Sequence, residues 1–155
     1  MPLRSKARFW LLTLLGMTGL TLIIVCLALA QPRPMAEDIL TPLSLGYDEM
    51  KAGNTEAAQY QFEKVLKGDP DNPYALNNLA VILERQGKFK EAMAYLLQAE
   101  THAKDYLQKP DEICDIGGIC MAIKPSRLAS GESSIAPLVH GNINLLKIKI
   151  GKQKY

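Results

Sequence analysis

The chain has 155 residues, a formal net charge of +2 and 22 % charged side chains. That charge is too small and too scattered for a nucleic-acid partner, which calls for a basic patch or stripe. The length admits one ordinary domain, and the 48 % of hydrophobic residues are unevenly spread along it.

Arg4, Lys6 and Arg8 precede an uncharged run from Phe9 to Ala30, rich in Leu, Ile, Val and Met. At about 1.5 Å per residue, a helix over this run matches the roughly 30 Å hydrocarbon core of a bilayer. No polar side can be drawn on it, so a buried soluble helix does not fit. A cleavable signal peptide is the rival reading, with Ala28-Leu29-Ala30 as its small-x-small site, but signal h-regions are usually only about 7–15 residues long. The expectation is a single transmembrane anchor at residues 9–30 behind a basic tail at 1–8. Basic residues on that side put the N-terminus in the cytoplasm and residues 31–155 outside, which in a bacterium means an inner-membrane protein facing the periplasm. The chain has no Asn-x-Ser/Thr sequon, so nothing argues for an endoplasmic-reticulum lumen. Cys26 falls inside the apolar run as a lipid-facing or packing residue, and Val25 before it does not suit a lipoprotein site. Residues 31–38, opening with Gln31-Pro32-Arg33-Pro34, read as a short stiff linker.

An internal repeat follows. Laying Ile39–Asn72 over Pro73–Tyr106, a shift of 34 residues, pairs Leu45 with Leu79, Gly46 with Ala80, Gly53 with Gly87, Ala58 with Ala92, Phe62 with Leu96 and Val65 with Ala99. Small residues recur where helices approach closely, and large apolar ones recur where they interlock. Each unit reads as two helices. Thr41 caps the first, with Pro42 at its first position, and Gly53 stops it; Thr55 caps the second, which runs to about Leu66 before Gly68. In the second unit Asn72 is the cap, Pro73 the first helical residue and Gly87 the stop, and the partner helix runs from Phe89 to about Tyr106. Ala92, Tyr95, Leu96 and Ala99 lie on one face of that last helix.

On these residues the chain resembles the tetratricopeptide repeat family, over about residues 39–106. The family pattern of Leu-Gly/Ala, a turn Gly, Ala, Phe/Leu, Ala and a final Pro is met by Leu45-Gly46, Gly53, Ala58, Phe62, Val65 and Pro70, and again by Leu79-Ala80, Gly87, Phe89, Ala92, Leu96 and Ala99. Pro42 and Leu76 stand where the family often has Trp, and Lys104 where it often has Pro, which suits a last helix of the second unit that runs on. A weaker echo aligns Pro137–Lys152 with Pro73–Lys88, pairing Asn142 with Asn78 and Ile143 with Leu79. It gives a closing helix in residues 137–155, with a short β-strand at Leu145–Ile150 as the alternative. The expected fold class is therefore all-α: a transmembrane helix, two repeat units, a loop insertion at 107–136 and a closing helix.

The insertion carries Cys114-Asp-Ile-Gly-Gly-Ile-Cys120, whose Gly117-Gly118 lets the chain fold back. In an oxidising compartment a local disulfide is the expected outcome. Free thiols remain open, as does a thiol-disulfide enzyme acting through the pair, although the spacing is not Cys-x-x-Cys. Neither His102 nor His140 supplies a second ligand pair for a metal. His102 is expected at an exposed helix end and His140 at an inward-packing position of the closing helix. Asp69/Asp71 and Asp111/Glu112 sit at turns, where caps and solvent account for them. There is no nucleophile elbow, Gly-rich phosphate loop or metal motif, so neither an enzyme nor a cofactor is expected.

A binding surface is what remains. The resemblance implies that the first helix of each unit lines a concave groove for a protein partner: Leu43, Tyr47 and Met50 from unit one, Tyr74, Asn77, Val81, Glu84 and Arg85 from unit two, and Leu138, Leu145 and Ile148 from the closing helix. Such a groove suits an amphipathic helix or an extended segment; some of its residues have the alternative of packing against the insertion. Relatives that clamp a C-terminal carboxylate use Lys and Asn in the first groove helix, where this chain has Leu43 and Tyr47, so that ligand class is disfavoured. Asn78 by itself distinguishes nothing. The layout is similar to that of inner-membrane proteins with one span and a periplasmic repeat domain, which serve as scaffolds, assembly factors or accessory subunits. A mitochondrial outer-membrane import receptor, with its repeats in the cytosol, is the alternative layout.

Overall fold

A computed structural model describes residues 35–106, 110–114, 118–125 and 134–152, all within Pro32–Tyr155. The expected anchor at 9–30 and the basic tail lie outside the described residues. Among the described residues, no helix is long and apolar enough to cross a membrane.

The chain forms α1 (Glu37–Ala52), α2 (Thr55–Gly68), α3 (Pro73–Arg85), α4 (Phe89–His102) with a 3-10 turn at Ala103–Asp105, β1 (Pro110–Cys114), β2 (Cys120–Pro125) and α5 (Ala136–Lys152). α1 pairs with α2, α3 with α4, and α5 packs on α4. The helices pair as the 34-residue shift predicts, and their ends are set by local chemistry. Asn72 accepts from the backbone N–H of both Tyr74 and Ala75 at 3.1 Å, capping α3 behind Pro73. Gly53 and Gly87 follow α1 and α3 with φ of +84° and +75°, the left-handed conformation that lets the chain reverse without a Cβ clash.

Two expected starts move. α1 begins at Glu37, not at Thr41-Pro42, and Pro42 lies inside it. Burial of Met35 and Ile39 pins this extra turn to the core, and Glu37 and Asp38 sit at the positive end of the helix dipole. Those gains outweigh the one backbone bond Pro42 cannot donate, and the Thr41 hydroxyl donates back to the Glu37 carbonyl at 3.2 Å instead of capping. At α2 the N-cap is Asn54, with Thr55 already helical; the Asn54 amide is engaged with the Glu49 carboxylate at 2.8 Å.

Ala58, Phe62 and Val65 of α2 are fully buried, and so are Ala92, Leu96 and Ala99 of α4. Gly46 lies flat on the Phe62 ring: a Cβ there would come within 2.5–2.9 Å of three ring atoms. One aligned pair splits, however. Leu79 is 3 % exposed but Leu45 is 46 % exposed, because no helix pair among the described residues precedes α1 to cover it.

The insertion is not a loop, and the all-α expectation is corrected accordingly. β1 and β2 pair antiparallel, with Cys114 opposite Cys120, Ile113 opposite Met121 and Glu112 opposite Ala122. A disulfide joins Cys114 and Cys120 at the turn end of this hairpin. β2 then packs against α1, α3 and α5, on the side the resemblance implies to be concave. The strand alternative for Leu145–Ile150 gives way to helix, since α5 runs unbroken to Lys152.

Candidate functional site

The concave side is already filled. Three asparagines, Asn77 and Asn78 on α3 and Asn142 on α5, are 0–1 % exposed and meet the backbone of β2. Asn78 treats Ala122 as a neighbouring strand would: its amide donates to the Ala122 carbonyl at 2.8 Å and its oxygen accepts the Ala122 N–H at 2.9 Å. Asn142 does the same to Cys120, donating to its carbonyl at 2.7 Å and accepting its N–H at 2.6 Å. Asn77 links the two, donating to the Cys120 carbonyl at 3.0 Å and to Asn78 Oδ1 at 3.3 Å while accepting from Asn142 at 2.7 Å. Successive residues of a strand point their backbone groups to opposite edges. Cys120 and Ala122 therefore face the asparagines along one edge of β2 while β1 lies along the other.

Helix geometry explains why these side chains converge. Asn is a poor helix former, so a buried mid-helix Asn needs a partner that the helix itself cannot supply. Here the partner is a backbone whose own polar groups would otherwise be buried unpaired. Ile119, Met121 and Ala122 are 1 %, 5 % and 2 % exposed, so the strand is seated by apolar burial as well as by hydrogen bonds.

This seating redraws the expected partner groove. Leu43, Met50, Tyr74, Asn77, Val81 and Glu84 are buried, Tyr47 is half-buried and Arg85 is exposed at the end of α3. Tyr74 packs edge-on to Tyr106, with ring centroids 6.0 Å apart and an interplanar angle of 74°, and burial pushes its phenol pKa up. Glu84 forms an ion pair with Lys149 that ties α3 to α5. On the closing helix Leu138 is buried, whereas Leu145 and Ile148 stay 42 % and 55 % exposed. The expected inward His140 is corrected: its side chain is 66 % exposed and lies 3.2 Å from Glu100. The inward stripe of α5 is Leu138, Val139, Asn142, Ile143 and Leu146, which leaves His140 on the other side.

The turn at residues 69–72, which ends the first unit, is locked from the second helix and the end of the next unit. The Tyr106 hydroxyl donates to Asp69 at 2.7 Å, and Asp69 also accepts from Asn72 at 3.1 Å. Gln98 donates to the Pro70 carbonyl and the Asp71 carboxylate, and His102 lies 3.5 Å from both Asp71 and Asp105.

Among the described residues, one group of metal-ligand types clusters: Glu112, Cys114 and Cys120. Two of its members are the bridged cysteines, which offer no thiolate. Cys114 is exposed, while Cys120 is half-buried with its backbone held by Asn142. The asparagine constellation itself was missed in the sequence. Its signal was present: the Asn77-Asn78 doublet in the apolar middle of α3, and Asn142 at the place matching Asn78 in the weaker echo at Pro137–Lys152.

Residues 43–106 match the tetratricopeptide repeat family. No curated protein and no solved structure matches the chain. Tetratricopeptide repeats are in general non-catalytic modules for protein–protein interaction.

Proposed function

We propose that this protein is a membrane-anchored tetratricopeptide scaffold. Residues 9–30 cross a bacterial inner membrane once, and the repeats on the periplasmic side hold a protein partner, as an assembly factor or accessory subunit of a membrane complex. One observation carries the reading: the concave face formed by α1, α3 and α5 holds an extended chain segment through its backbone. A surface that satisfies a strand's N–H and C=O groups in a dry setting is built for polypeptide. The placement is supported by Arg4, Lys6 and Arg8 ahead of the apolar run. The Cys114–Cys120 bridge supports it too, since such bonds persist in oxidising compartments and are rare in the cytosol.

Lysine-reactive crosslinking in native membranes, read by mass spectrometry, tests the role. The expected result is crosslinks from exposed Lys51, Lys88 and Lys147 to one membrane protein that co-purifies at a fixed ratio after detergent extraction. Absence of any recurrent partner would sink it. Protease added to intact spheroplasts tests the topology. Residues 31–155 should be digested, and protection until lysis would favour repeats facing the cytosol.

A further inference from the structure

We infer that the concave face is a strand-exchange site, at which an extended segment of the protein partner replaces the chain's own β2. The inference rests on the scaffold reading and names what the scaffold would hold. Recognition of β2 runs through its backbone. Cys120 and Ala122, alternate residues on one edge, exchange both N–H and C=O with Asn142 and Asn78 respectively, and Asn77 adds a second donor to the Cys120 carbonyl. Every extended segment carries the same backbone groups, so the asparagines are not keyed to the resident sequence. The side-chain seats narrow the choice. Ile119, Met121 and Ala122 are almost fully buried, so an incoming strand carries a small residue at the Ala122 place, apolar residues at the other two, and no charge at any of them. A helix does not present alternate residues with free N–H and C=O groups, because its own turns use them.

On its other edge the resident strand pairs with β1. β1 is a five-residue edge strand, exposed from Asp111 to Cys114, and the disulfide closes the hairpin beyond it. A tethered strand competes at an effective concentration on the order of millimolar, so a free segment binds weakly while β2 is in place. Reduction by a dithiol weakens that competitor. The Cys114–Cys120 S–S bond is replaced by two S–H groups as the dithiol becomes a disulfide, and the hairpin loses its covalent closure.

The test uses the full-length protein in detergent micelles. The probe is a blocked, fluorescent peptide of residues 118–124 with Cys120→Ser. In Ala122→Pro the resident strand cannot donate to Asn78. This variant should bind the peptide at least about tenfold tighter than the parent does. Adding Asn78→Ala or Asn142→Ala should abolish the binding. Circular dichroism checks that the helices persist. If Ala122→Pro unfolds, Cys114→Ser/Cys120→Ser, which leaves every asparagine in place, carries the same comparison. No uptake by a folded variant, or uptake indifferent to Asn78 and Asn142, overturns the inference. Peptide uptake without any crosslinked partner in membranes would remove the scaffold reading alone. A partner crosslinked elsewhere, with no uptake, would remove this inference alone.

Discussion

α1 and α3 stand at the same place in their repeat units, yet they live in different surroundings. α1 buries a single stripe of Ile39, Pro42, Leu43, Gly46 and Met50 and leaves Leu45 in solvent. α3 buries Pro73 through Ile82 without a break, three polar residues among them if Glu84 is added to Asn77 and Asn78. α3 lies between α2 and α4 with β2 across it, whereas among the described residues α1 has neighbours on fewer sides. Burial in a stacked array is therefore a property of position in the stack more than of the repeat's own sequence.

Truncating the aligned leucines tests this most directly. Leu79→Ala should cost about 3 kcal/mol of unfolding free energy, as a cavity in a closed core, while Leu45→Ala should stay within about 0.5 kcal/mol. Equal effects in a denaturant titration would mean that something covers α1 in solution. The polar counterpart is Asn78 against Ser44, its equivalent 34 residues earlier. Asn78→Ala leaves the Ala122 N–H and C=O buried without partners and should cost about 2–3 kcal/mol, with little change for half-buried Ser44→Ala. A near-neutral Asn78→Ala would show that β2 leaves the face easily.

A third contrast lies in how the two units fill one shared space. Unit one sets Gly46 against Phe62; unit two has Ala80 and Leu96 at the matching positions, both fully buried. Gly46→Ala should cost about 2 kcal/mol by overpacking, and Phe62→Leu in the same chain should recover part of it. Purely additive losses in that double-mutant cycle would rule out the exchange of volume. Reducing the disulfide should lower stability by about 2 kcal/mol for so short a loop, leaving far-ultraviolet helical signal intact. Smallest of all, Tyr106→Phe removes the hydroxyl that holds Asp69 and should cost about 1 kcal/mol, read as a modest fall in melting temperature.

The parts of the fold legible beforehand share a cause. Gly53, Gly87, Asn72-Pro73 and the stripe Ala92-Leu96-Ala99 act on neighbours within one helix or across one turn, so their spacing records what they do. The start of α1 was misplaced because Met35 and Ile39 are drawn in by a core that assembles from later segments. Of the expected groove residues Asn77 meets β2, and the presence of that strand was not legible. Asn77 and Asn78 meet a strand more than forty residues downstream, and no local periodicity reports on such a pairing.

The sequence by itself determined the period of the array, the turns that punctuate it and the two cysteines able to meet across a glycine turn. Only the tertiary structure decided that the insertion is a hairpin, that β2 lies across α1, α3 and α5, and that His140 faces outward. The physical reason is range. Caps, left-handed glycines and helical stripes are short-range effects written into consecutive residues. A buried amide has no fixed partner until the fold brings one within about 3 Å, and there it takes whichever backbone is left unpaired.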